Sequence, residues 1–254
     1  MDIIKQNELA WDKRVDDGIC WTIPVSSEDI KNARNGVFDI KLTSEKSVPR
    51  SWFPLNLKGV KILCLACGGG QQGPILAAAG GEVTVFDISI SQLKQDELVA
   101  KRENLNLETI KGNMCDLSRF KENTFDIVFC PVAVTYISDV NPVFKESYRV
   151  LKKNGKFMFG TVNPYIYLFD GKKWDEGIFQ VSNKLPFNSF DELNEEEATE
   201  FIKNKNAIEY SHTLEDLIGG QIIAGFKIDK FYEDIDKDEI CKYSSKYFAT
   251  RAVK

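Results

Sequence analysis

The sequence has a single histidine, His212, so a centre that needs two imidazoles, such as the usual His-rich zinc or iron site, is excluded. It has no excess of positive charge: 33 Lys and Arg stand against 38 Asp and Glu, a formal net charge of −5. Such a chain repels a phosphate backbone unless basic residues cluster on one face, so nucleic acid is not an expected partner. Long apolar runs are missing as well. No stretch approaches the roughly 18 apolar residues of a membrane span, and Asp2, Lys5, Glu8, Asp12, Lys13, Arg14, Asp16 and Asp17 interrupt the region where the apolar segment of a signal peptide would lie. A cytoplasmic protein without membrane contact is expected. The six cysteines (Cys20, Cys64, Cys67, Cys115, Cys130, Cys241) are scattered, several within apolar runs, and read as free thiols of a reducing compartment.

What is present is the balance of one folded α/β domain: 254 residues, 43% hydrophobic and 28% charged, with no internal repeat. The hydrophobic period changes along the chain. Val60–Ala66 (VKILCLA) is almost continuously apolar and runs into glycines, as a strand buried on both faces of a parallel sheet does. Glu82–Phe86, Phe125–Cys130 and Lys156–Thr161 are similar. Helical stretches lie between them. Gln72–Ala79 is Ala-rich; Ser91–Leu105 is amphipathic and preceded by a capping box in which Ser89 accepts from the backbone and Gln92 reaches back. Asn141–Leu151 is a third helix, with Asn154-Gly155 as its stop and Lys152 and Lys153 at the negative end of its dipole. Alternating strand and helix predict an open, doubly wound, mostly parallel sheet with helices on both faces. Residues 1–57, rich in helix signals and carrying Trp11, Trp21, Trp52 and Phe53, precede this alternation and read as an N-terminal lid or flank. Residues 58–163 form the core, and 164–211 are too long for a connecting loop and read as a cap over the carboxyl edge. Residues 212–254 complete the sheet: a helix from Thr213 to Gly225, the strand-like FKIDKFYE, and Tyr247–Val253.

The sharpest local signal is Cys64-Leu-Ala66-Cys67-Gly68-Gly69-Gly70-Gln71-Gln72-Gly73, where the first strand turns into a helix. Such a turn brings backbone N–H groups and a helix N-terminus to an anionic or polar ligand. Asp87 closes the second strand on the same sheet edge, where a carboxylate accepts both hydroxyls of a ribose. Together they imply a cofactor containing a nucleoside. Gly68-x-Gly70-x-x-Gly73 also matches the dinucleotide fingerprint, which leaves an NAD(P)-dependent oxidoreductase as an alternative.

ILCLACGGG followed by VTVFD, GNMCDL at 112–117, FDIVFCPVAVTYISDV at 125–140 and YRVLKKNGKFMF at 148–159 resemble the successive motifs of class I S-adenosylmethionine-dependent methyltransferases, close to the small-molecule "type 11" group. The resemblance implies a Rossmann-like seven-stranded sheet and a single methyltransferase domain over 1–254. It implies S-adenosylmethionine as cofactor, with S-adenosylhomocysteine as product. The methionine end would meet the backbone of Ala66, Cys67, Gly68 and Gly70 and the Cys130 carbonyl. Asp87 would hold the ribose, Ile88 would cover the adenine, and Asn113 with the Met114 N–H would read its edge. The chain departs from the family at Cys64 (usually acidic), Ala66 (usually Gly), Asn113 (usually Asp) and Tyr136 (usually His). The loss of the carboxylate at Cys64 leaves a binding sensor without transfer activity as a further alternative.

Methyl transfer from a sulfonium is an in-line displacement whose carbon is already activated, so alignment and water exclusion come before acid–base chemistry. Tyr136 and His212 are the candidate catalytic side chains, and Trp11, Trp21, Tyr165 and Tyr167 the candidate lid or substrate-wall residues. Cys64-x-x-Cys67 has no second pair at ligand spacing, so no metal is expected. The segment Cys130-Pro131-Val132-Ala133 lacks the Asn/Asp-Pro-Pro-aromatic motif of nucleic-acid amino methyltransferases, which points to a small-molecule acceptor. Monomer and homodimer both remain open.

Overall fold

The computed structural model describes residues 2–191 and 193–254. The apolar runs become the middle of a sheet because both of their faces find helices. Its strands are β1 (Lys61–Leu65), β2 (Glu82–Asp87), β3 (Leu107–Lys111), β4 (Phe125–Cys130), β5 (Leu151–Val162), β6 (Lys227–Asp234) and β7 (Tyr247–Val253). Among the described residues they form one seven-stranded sheet in the order β3-β2-β1-β4-β5-β7-β6, parallel except for β7, which is antiparallel to both neighbours. The order reverses between β1 and β4, and the crevice beyond their carboxyl ends is where a doubly wound sheet takes its ligand.

The period of two along β1 and β4 sorts the core into two layers. Ile62, Cys64, Ile127 and Phe129 join a layer with Ile30 and Ala33 of α2 (Ser27–Arg34), Ile75 and Leu76 of α3 (Gln72–Ala78), and Leu93 and Val99 of α4 (Ile90–Glu103). Leu63, Leu65 and Val128 face the other way, onto Val143, Phe144 and Val150 of α5 (Asn141–Val150) and Leu217 of the π-helical turn Glu215–Gly219 that runs into α8 (Gly220–Ile223). Each large apolar side chain so buried contributes about 1.5–3 kcal/mol. The segment 164–211 carries α6 (Gly171–Asp175) and α7 (Glu195–Lys203) and an aromatic cluster in which Phe169, Trp174 and Phe179 meet edge to face.

Several local readings are corrected. β3 escaped the sequence reading because LETIK is a half-exposed strand at the sheet edge, with no continuous apolar run. Asn154-Gly155 is not a helix stop. The helix ends at Val150 and the pair makes a bend within β5, Asn154 at φ +65°. Ser89 does cap α4 by accepting from the Gln92 N–H at 3.1 Å, but the Gln92 side chain does not reach back. Its Oε1 is buried without a partner, and the Ser89 hydroxyl donates to Asp12 at 2.6 Å.

The N-terminal flank divides into two parts. Residues 30–57 are built into the core: Ile30, Leu42, Trp52, Phe53 and Leu57 are all buried. The Leu42 carbonyl accepts from the Val132 N–H at 3.2 Å, and a Cβ on Gly160 would lie only 2.1 Å from that oxygen. The helix α1 (Ile3–Asp16) and the stretch after it instead lie over the carboxyl edge. Asn7 pins α1 there, donating to the carbonyls of Tyr136 (2.8 Å) and Ile208 (3.1 Å) while accepting from the Ile208 N–H (2.7 Å).

Candidate active site

A cavity of about 410 Å³ opens at the reversal point of the sheet, roofed by α1 and walled by the cap. Its floor is the turn after β1. Ala66 adopts the left-handed φ of +48°, a conformation that favours glycine, and its N–H donates to the Phe86 carbonyl at 2.7 Å. Gly68 needs its missing Cβ for another reason: an added Cβ would lie 2.7 Å from the Gln92 Cβ and 3.2 Å from Asp87 Oδ2.

Two buried carboxylates hold this turn. Asp87 accepts the Gly68 N–H on Oδ2 and the Ser89 N–H on Oδ1, both at 2.9 Å. Burial raises its pKa above the ordinary carboxylate value, against the pull of those N–H groups. Asp96 accepts the Gly69 N–H at 3.0 Å and is fully buried, which pushes its carboxyl well above its usual range. Sequence reasoning missed Asp96, because an acid on an amphipathic helix reads as solvated. The Cys67 thiol is raised well above its ordinary value, first by its hydrogen bond with Cys64 and then by burial. Among the described residues no cluster of three or more His, Cys, Asp or Glu is arranged to hold a metal ion.

Of the residues expected at the cofactor, Ala66, Cys67, Gly68, Asp87, Ile88, Asn113 and Met114 line the cavity together. Asn113 Oδ1 accepts the Cys115 N–H at 3.0 Å, which fixes the side chain in its turn. Gly70 and Cys130 are not in the wall. Gly70 turns toward α4 and Pro24, and its carbonyl accepts from the Val25 N–H at 3.0 Å. Cys130 is the last residue of β4 and fully buried, and the wall begins at Pro131.

Trp11, Trp21, Tyr136 and Tyr167 line the cavity, whereas Tyr165 and His212 do not. Tyr165 belongs to the cap's own aromatic core, edge-on to Phe169 with its hydroxyl donating to the Ser244 carbonyl at 3.3 Å. His212 is buried behind the turn that follows β4, its Nε2 2.9 Å from the Val134 carbonyl oxygen. That oxygen only accepts, so Nε2 carries the proton and the ring braces the Tyr136 turn from outside the cavity. At Tyr136 itself, Arg14 donates from Nη1 to the hydroxyl oxygen at 2.8 Å while its guanidinium lies 4.5 Å from the Trp11 ring centroid. Burial, and then the nearby Glu209, push the Tyr136 phenol up to about 12. Glu209 was missed from sequence because it stands far along the chain, in the cap, with no motif around it. It lines the cavity beside Tyr167, whose hydroxyl donates to it at 3.3 Å.

A methyltransferase-domain family model matches residues 63–159 of the chain. The uncharacterized methyltransferase YbaJ of Bacillus subtilis is 46% identical over 252 residues, 99% of this chain and 98% of that one. The ubiquinone biosynthesis O-methyltransferase of Pseudomonas syringae pv. tomato is 30% identical over 116 residues, 45% of this chain and 50% of its own. Among solved structures, a putative S-adenosylmethionine-dependent methyltransferase from Listeria monocytogenes superposes with a TM-score of 0.63 at 20% identity, over 81% of this chain and 94% of that one.

Proposed function

Because the chain belongs to the class I S-adenosylmethionine-dependent methyltransferases, we propose that its cavity at the sheet reversal binds the cofactor and that it methylates a small-molecule acceptor there. The observation that carries this is the meeting, in one cavity of about 410 Å³, of the glycine turn, Asp87 and Asn113-Met114. The residues fit the cofactor. Gly68, with no Cβ, lets the turn close onto Gln92 and Asp87, and a carboxylate with two N–H partners keeps lone pairs for two ribose hydroxyls. Ile88 and Met114 supply apolar surface for the adenine, and Ala66 to Gly68 supply backbone for the amino-acid end. The bound cofactor supplies an electrophilic methyl carbon on a sulfonium.

The chain's own residues bind, orient and exclude water. Trp11 and Trp21 roof the cavity, and Tyr136 and Tyr167 wall its far end. Tyr136, with its phenol pushed up to about 12 and held by Arg14, acts as a neutral hydrogen-bonding wall and not as a base. His212 positions that wall from behind. The small cavity and the net charge of −5 favour a small molecule over nucleic acid, and the free cysteines suit a cytosolic setting. Among the described residues no helix is long and apolar enough to cross a membrane. The test is titration calorimetry with S-adenosylmethionine, S-adenosylhomocysteine and NADH. The two sulfur ligands are expected to bind and NADH not to; preferential NADH binding would overturn the assignment in favour of the oxidoreductase. Binding without transfer to any acceptor would leave a sensor.

A further inference from the structure

Beyond the turn and Asp87, the cavity ends at Tyr136 after β4 and at Tyr167 and Glu209 of the cap, with Arg14 of α1 contacting Tyr136 and Glu209 from outside the wall. Glu209 is presented by an extended segment fastened to that same turn, the Tyr210 N–H donating to the Thr135 carbonyl at 2.7 Å. Its carboxylate is 35% exposed, toward the cavity, with the Arg14 Nη2 3.9 Å away and the Tyr167 hydroxyl at 3.3 Å. Neither contact saturates it, since a carboxylate offers about four acceptor positions.

Resting on the proposed methyl transfer, we infer that Glu209 is the proton acceptor of the reaction, and that the substrate is an uncharged small molecule whose attacked atom bears a proton, a phenolic O–H or a heterocyclic N–H. Elimination leads there. Of the other ionisable groups lining the cavity, Asp87 holds the Gly68 and Ser89 N–H groups and is assigned to the ribose, and Cys67 is buried in the turn, hydrogen-bonded to Cys64. Tyr136 and Tyr167 are held protonated by burial and, after it, by Glu209. Lys246 is paired with Asp236 and Asp238, at 3.0 and 2.8 Å, the Tyr247 hydroxyl donates to Asp236 at 2.9 Å, and Lys41 stands beside the glycine turn, its carbonyl accepting from Gln72 at 3.4 Å. Burial raises the Glu209 carboxyl above its ordinary value and Arg14 opposes this, the direction a base working near neutrality requires. A neutral substrate suits this end of the cavity, where Arg14 faces Glu209 at 3.9 Å and the pair is locally balanced. Trp11, Tyr136 and Tyr167 offer ring surfaces to a flat body. In the step, a lone pair on the acceptor O or N forms the bond to the methyl carbon and the S–C pair returns to sulfur. The acceptor's proton passes to a Glu209 carboxylate oxygen and from there to water.

The test uses the full chain and Glu209→Gln, with phenol, catechol and indole as protic probes and thiophenol as an acceptor that ionises without help. Saturation-transfer NMR on the S-adenosylhomocysteine complex reads probe uptake, and labelled S-adenosylmethionine reads transfer. The protic probes are expected to enter the wild-type complex. Glu209→Gln is expected to bind S-adenosylhomocysteine as the wild type does, to lower the O–H to S–H rate ratio about 100-fold, and to erase the acid limb of the rate–pH profile. An equal loss on both acceptor types, an unchanged pH profile, or a loaded wild-type protein that takes up none of the protic probes would overturn the inference. A wild-type protein that binds no S-adenosylhomocysteine would instead overturn the methyltransferase reading on which it rests.

Discussion

Replacing Asp87 by Ala perturbs two things at once, and the structure separates them. In the free protein the carboxylate satisfies the N–H groups of Gly68 and Ser89 at 2.9 Å and is only 8% exposed. Stranding two such donors costs about 1–3 kcal/mol each. Removing a carboxylate whose ionised form burial disfavours gives part of that back, so we expect a net loss of about 2 kcal/mol in unfolding free energy. In the complex, two ribose hydroxyls lose their charged acceptor. Hydrogen bonds to charged groups are worth about 1.5–3 kcal/mol, and that range, taken for the pair because water competes, raises Kd by roughly 10- to 150-fold. Asp87→Asn keeps one carbonyl acceptor and should fall between. The assay is calorimetry with S-adenosylhomocysteine below the onset of melting, beside guanidinium unfolding of the free proteins. A folded Asp87→Ala variant whose Kd stays within about twofold of wild type would show that Asp87 does not hold the ribose.

Three further outcomes follow from the same geometry. Burial raises the Asp96 carboxyl well above its ordinary value, so the folded state binds that proton more tightly than the unfolded chain. Asp96 therefore costs stability increasingly as pH rises from about 4 toward its folded value. Relative to wild type, Asp96→Asn should then gain up to about 1.4 kcal/mol per pH unit in that window; a difference independent of pH would refute the buried ionisation. Gly160→Ala drives a Cβ to 2.1 Å from the Leu42 carbonyl and should cost about 1–3 kcal/mol, read as a lowered melting temperature; an unchanged one would mean that residues 38–57 are not seated on β5. In hydrogen exchange, residues 30–57 should be protected with or without ligand, while residues 2–25 slow on adding S-adenosylhomocysteine and the Trp fluorescence changes. Equal protection of residues 2–25 in both states would make α1 a fixed roof.

The sheet was readable because its inner strands carry their burial in composition. ILCL, VTVF and DIVFC are apolar on both faces, and each ends at the edge where Gly68, Asp87 and Pro131 line the cavity. The edge strand LETIK carries no such signal, since half of its surface faces solvent. That the glycine turn, Asp87 and Asn113-Met114 share one cavity wall was likewise legible, because a turn, a strand end and a following loop are local in sequence. The far wall was not. Arg14, Tyr136, Tyr167 and Glu209 come from four separated stretches, and only the docking of α1 and the cap brings them together. His212 misled for the converse reason: the lone imidazole looked like a base, whereas the Val134 carbonyl claims its Nε2.

The central claim, that this cavity is the cofactor site, is tested most directly by a crystal structure of the protein with S-adenosylhomocysteine. We predict the ribose hydroxyls on Asp87, the adenine between Ile88 and Met114 with its edge toward Asn113, and the sulfur pointing along the cavity toward Tyr136 and Glu209. A ligand bound elsewhere, or with its ribose away from Asp87, would contradict it.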